Sequence, residues 1–455
     1  MIAGGTFQDA VTKVSKTNTR CAAFMEMKEE QKKSEKDEEE KKSALRAKSL
    51  RKMVKKVVHT QVTFHAVDIR RKRVLYPTNS RTCLQKLPVV GGSPVTPEKA
   101  KMLRQKVFGA ASLVGPVETD WLNQSFCFHP HDSPLGYGLK VAKGITKGFI
   151  MCVQGFVLKN LLFGRRRLSV GVEPRNLLKT TVRAQEDALV EALADVLWQA
   201  GGRTGAFLCL TQENVYLTTD EDYQCDGCTE RLHIFEYSKQ DELRFNVKKY
   251  LYEFMSTERC GLLCFLYSLI MTRGFKRLED DLGDVGDAGG TLLQHNGSIQ
   301  PTLAALILTG RASPFLHNGI IYEGSEDTMA KPKTGVLIRA QVGLLVWQRS
   351  DGNRQVAVGS RLKTPSLPIW VTRCNGSYGV LFNPNRELLR DYHAENRFNL
   401  YYYSCSSNHP TPTLVTIDAR TPTATEEFSA PDLENLIHTK WNDATVTWNG
   451  TMPYV

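Results

Sequence analysis

The chain has 455 residues, 41% of them hydrophobic, and a formal net charge of +11, a composition that supports a folded core and excludes a wholly disordered polymer. The longest apolar run, Cys260 to Met271, is too short to span a bilayer, and the opening MIAGGTFQDAVTKV lacks the basic start and apolar stretch of a secretory signal. The sequence therefore predicts an intracellular protein, cytoplasmic or nuclear, with no membrane partner and with its eleven cysteines as reduced thiols rather than a disulfide framework.

Residues 1–75 read as a charged, loosely helical or disordered tail. Glu26 to Lys56 contains no Gly or Pro; acids dominate up to Glu40, and basic residues follow with no acid among them. A second basic cluster is Arg70 to Arg73. Much of the positive excess lies in this tail and not in a patterned basic face, which argues against nucleic acid as a partner. Residues 76–93, rich in Pro, Gly, Ser and Thr, read as a linker, and the folded domain is expected over 94–455.

Thr96-Pro97-Glu98 predicts a capped helix with proline in its first turn and Gly109 near its end. The central stretch runs from Gly136 to Gly164, GYGLKVAKGITKGFIMCVQGFVLKNLLFG. It predicts a short extended segment, a turn at Lys143 and Gly144, and a core helix with Phe149, Cys152, Val153, Phe156, Val157 and Leu161 on one broad face. Lys147 stands at the helix start, where unpaired N–H groups and the positive dipole end would stabilise a thiolate if a cysteine stood there. Lys179 to Ala200 predicts an amphipathic helix closed by Gly201-Gly202, Gly205 to Tyr216 a strand, and Val247 to Phe254 the start of another helix.

Between those last two lies Cys225-Asp-Gly-Cys228, with His233 five residues on. A Cys-x-x-Cys without a second ligand pair does not make a zinc site, so no metal is expected. Gly261 to Met271 reads as a buried helix and Asp280 to Gly290 as an acidic, glycine-rich loop. In the last third, Val336 to Gln348 carries two apolar runs around Gly343, and Leu367 to Arg373 reads as a strand. Asn375-Gly376 then favours a tight hairpin, because both residues tolerate positive φ. Ser377 opens the returning strand SYGVLF.

These stretches resemble the MINDY family of deubiquitinases. The family motif is a tyrosine-glycine start, Gly-Gly-Pro-Cys, then a helix containing Val-Gln and ending Leu-Leu-Phe. Tyr137, Gly138, Gly144, Gly148, Val153, Gln154, Leu158, Leu161, Leu162 and Phe163 match it. Ile145, Thr146 and Lys147 replace the second glycine, the proline and the cysteine. Leu306 to Gly310 resembles the family's leucine-rich turn ending in Thr-Gly. Leu362-Lys-Thr-Pro365, Pro368-Ile-Trp-Val371 and Val380-Leu-Phe382 resemble the segment around the family's histidine, whose position holds Ser377. Leu388 to Asp391, Leu400 to Tyr403, Thr439 to Asn442 and Trp448 to Gly450 resemble the family's ending. The likeness is to the long branch of the family, which includes a member described as an inactive paralogue.

The resemblance implies an α+β fold of papain-like, cysteine-protease type, with a core helix packed on a largely antiparallel sheet. It implies a nucleophile slot at Lys147 and a base slot at Ser377. Neither residue can do that work: lysine offers no thiolate, and a serine hydroxyl is no proton acceptor near neutral pH. The family's oxyanion glutamine is also missing, since Leu139 to Lys143 reads LKVAK. Cys152 is expected to point into the core, Cys127 has no helix start beside it, and His393 sits in a polar loop. The expectation is a pseudoenzyme without cofactor or metal that binds ubiquitin, or polyubiquitin of the degradation-signalling linkage, without cleaving it. The alternatives are an active hydrolase with a displaced nucleophile and a scaffold without ubiquitin binding.

Overall fold

The computed structural model describes residues 86–142, 144–164, 176, 178–283, 290–324, 331–349, 357–405, 411–420, 430–451 and 453. The charged tail, residues 76–85 of the expected linker, Lys143 and residues 284–289 of the acidic loop lie outside them.

The chain enters through β1 (Ser93–Pro94) and α1 (Pro97–Phe108). Thr96 caps α1 by accepting the Lys99 N–H at 3.4 Å, and Gly109 closes it with φ 88°. Residues 86–93 of the expected linker run beside the domain. Ser93 pairs with Ile234, and Gly91 O lies 2.9 Å from His233 Nδ1.

Strands β2 (Cys127–Phe128) and β3 (Leu139–Lys140) pair antiparallel and lead through a short 3-10 turn at Gly144–Thr146 into α2 (Lys147–Phe163). Helix α2 is not buried on one face only, as its periodicity suggested. Every residue from Gly148 to Leu158 is buried, because the helix lies between α3 (Val182–Ala200) and the large sheet. A helix apolar all round is one buried all round. Among the described residues, Gly144–Phe163 is the stretch long and apolar enough by composition to cross a bilayer, and 78% of that window is buried inside the fold.

A three-stranded sheet follows, in which β4 (Ala206–Thr211) pairs with β5 (Leu232–Tyr237) and β5 with β1. The next helix starts at Gln240, earlier than the apolar pattern suggested, because its first turn is polar and exposed; it runs to Lys249, with Leu251–Met255 after it. Helix α4 (Gly261–Arg273) packs on β4. Residues 280–282 belong to the helix Phe275–Leu282 rather than to a loop, since the buried Asp281 carboxylate is held by Arg273 at 2.7 Å and Arg311 at 3.0 Å.

A hairpin of β6 (Ile320–Glu323) and β7 (Lys331–Thr334) precedes the six-stranded sheet. That sheet is built from β8 (Gly343–Trp347), β9 (Ile369–Cys374), β10 (Ser377–Phe382), β11 (Arg397–Tyr403), β12 (Thr413–Asp418) and β13 (Thr445–Thr447) in sequential order. Strands β8 and β9 are parallel and the other neighbours antiparallel. Only the second apolar run of Val336 to Gln348 forms a strand of this sheet. Asn375 and Gly376 take φ of 47° and 82°, the positive pair that a two-residue turn demands.

The sheet is buried on both faces along β8, β9 and β10. Ile369, Val371, Val380 and Phe382 join the core around α2, whereas Trp370, Leu381, Leu400 and Val415 join a second core under the helix Asp432–His438 and Trp441. On β9 and β10 alternate residues serve opposite cores, whereas on β12 only every second residue, Thr413, Val415 and Ile417, is buried. The architecture is α+β: a core helix on a largely antiparallel sheet.

Candidate functional site

The site lies where the start of α2 meets the head of β10. Gly148 permits that approach: a Cβ there would stand 2.7 Å from Ile299 and 3.0 Å from Tyr378. Lys147, half-buried, thereby reaches Ser377, the first residue of β10, and donates from Nζ to Oγ at 3.3 Å. Burial lowers the Lys147 pKa below the usual lysine value, and the neighbouring Cys405 thiol opposes that shift. The helix N-terminus also disfavours a cation.

The segment leading to the helix is fixed from both sides. Gln154, fully buried on α2, accepts the Leu139 N–H at 2.8 Å and donates to Tyr137 O at 3.0 Å. From β11, Tyr403 donates to Leu139 O at 2.7 Å. The glycine of the Tyr137-Gly138 pair is required by this contact, since a Cβ on Gly138 would fall 2.5 Å from the Tyr403 ring. His129 Nε2 lies 3.1 Å from the Tyr403 hydroxyl. Burial, with Lys140 nearby, lowers the His129 pKa and favours the neutral ring. Burial likewise pushes the Tyr403 phenol well above its usual range.

Cys405 follows β11 in a left-handed conformation, φ 54°, and is half-buried. Its Sγ accepts the Val141 N–H at 3.1 Å. The thiol brought to the segment before α2 is thus Cys405, which no spacing in the sequence signalled, because 264 positions separate it from Val141. His129, 274 positions from Tyr403, was illegible for the same reason.

The other candidates lie elsewhere. Cys152 is fully buried, and burial raises its thiol pKa far above the usual range. Cys127 Sγ sits 3.9 Å from Met255 O. His393 lies on an exposed turn with its ring 3.9 Å from that of Tyr392. Cys225 Sγ bonds Leu217 O at 3.5 Å, whereas Cys228 is buried. His233 is held between Gly91 O and Tyr216 Oη. Among the described residues no group of three or more His, Cys, Asp or Glu side chains is arranged to hold a metal ion.

An ammonium and a hydroxyl side by side can donate hydrogen bonds to a carbonyl or carboxylate oxygen. They supply neither a thiolate nor a general base.

Residues 104–450 match the conserved domain described as "Deubiquitinating enzyme MINDY-3/4". The chain is 31% identical over 370 residues to the Probable ubiquitin carboxyl-terminal hydrolase MINDY-4 of Xenopus tropicalis, covering 81% of this chain and 48% of that protein. It is 30% identical over 391 residues to the human protein of the same name, covering 85% and 49%. To the human Ubiquitin carboxyl-terminal hydrolase MINDY-3 it is 25% identical over 316 residues, covering 64% and 67%. The matched part thus spans about half the length of the MINDY-4 relatives. No solved structure matches it.

Proposed function

The chain belongs to the MINDY-3/4 family of deubiquitinating enzymes, and on that premise we propose that it is a catalytically silent member that binds ubiquitin or polyubiquitin without cleaving it. In this reading Lys147 occupies the nucleophile slot and Ser377 the base slot of a papain-like site, with the first at the start of the core helix and the second at the head of a facing strand. The contact of 3.3 Å between them carries the reading. Two slots that must be adjacent for chemistry are adjacent, and they hold neither a thiol nor an imidazole. With the oxyanion glutamine also replaced, nucleophile, base and one oxyanion donor are missing together. A cytoplasmic or nuclear location goes with this reading.

A second reading, an active hydrolase with a displaced nucleophile, draws specific support from Cys405. Its Sγ accepts the Val141 N–H at 3.1 Å, and it acts electrostatically on the Lys147 ammonium. Against it stands the position of the thiol after a strand rather than at a helix start.

The test is to incubate the purified protein with ubiquitin bearing a thiol-reactive electrophile at its C-terminus, and in parallel to titrate it with unmodified ubiquitin and with polyubiquitin. Saturable binding without an adduct is the expected result. An adduct mapped to Cys405 would establish the second reading, and absence of both adduct and binding would leave a scaffold.

A further inference from the structure

The contact between Lys147 and Ser377 leaves hydrogen-bond donors over and no acceptor to receive them. An ammonium carries three N–H groups and a serine hydroxyl one O–H. Lys147 Nζ directs one N–H to Ser377 Oγ at 3.3 Å. Among the described residues neither side chain has another hydrogen-bond or ion-pair partner, so two N–H groups and one O–H stay unused.

The surroundings do not absorb this surplus. The acceptors of the adjoining segment are already engaged, Tyr137 O by Gln154 at 3.0 Å and Leu139 O by Tyr403 at 2.7 Å. Among the described residues no carboxylate pairs with the ammonium. Both residues are half-buried, so their donors are neither sealed in the core nor fully solvated, and a ligand oxygen can replace the water that reaches them.

A group that suits three donors and a positive charge is an anion with more than one acceptor oxygen. A carboxylate has two such oxygens and no donor. An amide has one oxygen and brings an N–H that would face only donors here. The MINDY-4 and MINDY-3 relatives are named as ubiquitin carboxyl-terminal hydrolases, and the terminus in that name is a carboxylate in free ubiquitin and an amide once it is joined to a lysine.

We propose that Lys147 and Ser377 form a carboxylate-binding site that selects the free C-terminus of ubiquitin over its amide-linked form, so that the chain takes unconjugated ubiquitin or the unattached end of a polyubiquitin chain. The inference rests on the reading of ubiquitin as the ligand and deepens it by naming the chemical state of the end that binds. Hydrogen bonds between an ammonium and a carboxylate are about twice as strong as neutral ones, which gives the site its means of telling the two forms apart.

The test titrates the full chain by calorimetry with unmodified ubiquitin and with ubiquitin whose terminal carboxylate has been converted to the carboxamide. The unmodified form should bind at least about tenfold more tightly, and the difference should narrow at high salt. Lys147→Met should bring the two forms within about twofold of each other. Ser377→Ala, which removes one donor and leaves the charge, should keep a preference of reduced size. Equal affinity of the unchanged protein for the two forms, or an undiminished preference in Lys147→Met, would overturn the inference and leave ubiquitin binding standing. Absence of binding to either form would overturn the proposed function and this inference with it.

Discussion

Lys147 Nζ and Ser377 Oγ meet at 3.3 Å although 230 positions of chain lie between them. The contact ties the start of the core helix to the first residue after the Asn375-Gly376 turn. An approach this close means that, on the proposed reading, the geometry of the site and its chemistry can be addressed separately.

If Lys147 and Ser377 hold the nucleophile and base positions, as proposed, restoring the chemistry needs both. In a Cys405→Ser background, Lys147→Cys supplies a thiol without a base and Ser377→His a base without a nucleophile. The double variant supplies both, still without the oxyanion glutamine, a deficit that typically costs about a hundredfold to a thousandfold in rate. Weak labelling by the electrophilic ubiquitin probe is expected from the double variant and none from either single one. Equal labelling by the Lys147→Cys single variant would mean that the base has been misplaced.

Burial lowers the pKa of Lys147 from its ordinary value of 10.5. Between that lowered value and the ordinary one the unfolded chain binds more protons than the folded chain, so this group's contribution to stability rises with pH across the window. Lys147→Met removes the cost of burying the ammonium. The variant should therefore melt above the parent near neutral pH, and its advantage should shrink toward about pH 10. Thermal melts at the two pH values check this; an advantage that stays constant or grows would contradict it.

Gln154 satisfies two backbone groups in a region closed to water, the Leu139 N–H and the Tyr137 carbonyl. Gln154→Leu keeps the side chain's bulk and strands both groups. At about 1–3 kcal/mol for each unsatisfied group, the expected loss is ~2–5 kcal/mol in denaturant unfolding. A loss well under ~1 kcal/mol would show that the segment can re-pair elsewhere.

The folded domain should not need residues 1–85. A chain beginning at Lys86 keeps the pairing of Ser93 with Ile234, the contact of Gly91 O with His233, and Val95, which is 3% exposed; it should match the full chain in its unfolding midpoint. A chain beginning at Thr96 loses all three and should be less stable by ~2–4 kcal/mol. Equal midpoints for the two shortened chains would show that β1 contributes nothing.

What the sequence determined by itself is what neighbouring residues decide. The cap at Thr96 and the break at Gly109 act within one turn of α1, and Asn375 with Gly376 sets a hairpin through its own backbone preferences. The order of family-like segments was legible too, and the family to which they belong. Periodicity reached less far. It gave α2 one apolar face where packing between α3 and the sheet buries the whole surface, because a pattern records which residues are apolar and not how many neighbours surround them. The tertiary structure alone decided which distant groups meet: Cys405 with Val141, His129 with Tyr403, and Lys147 with Ser377. Those pairings follow from how helices and sheets stack, a free energy summed over the whole core, and no local preference of the chain encodes them.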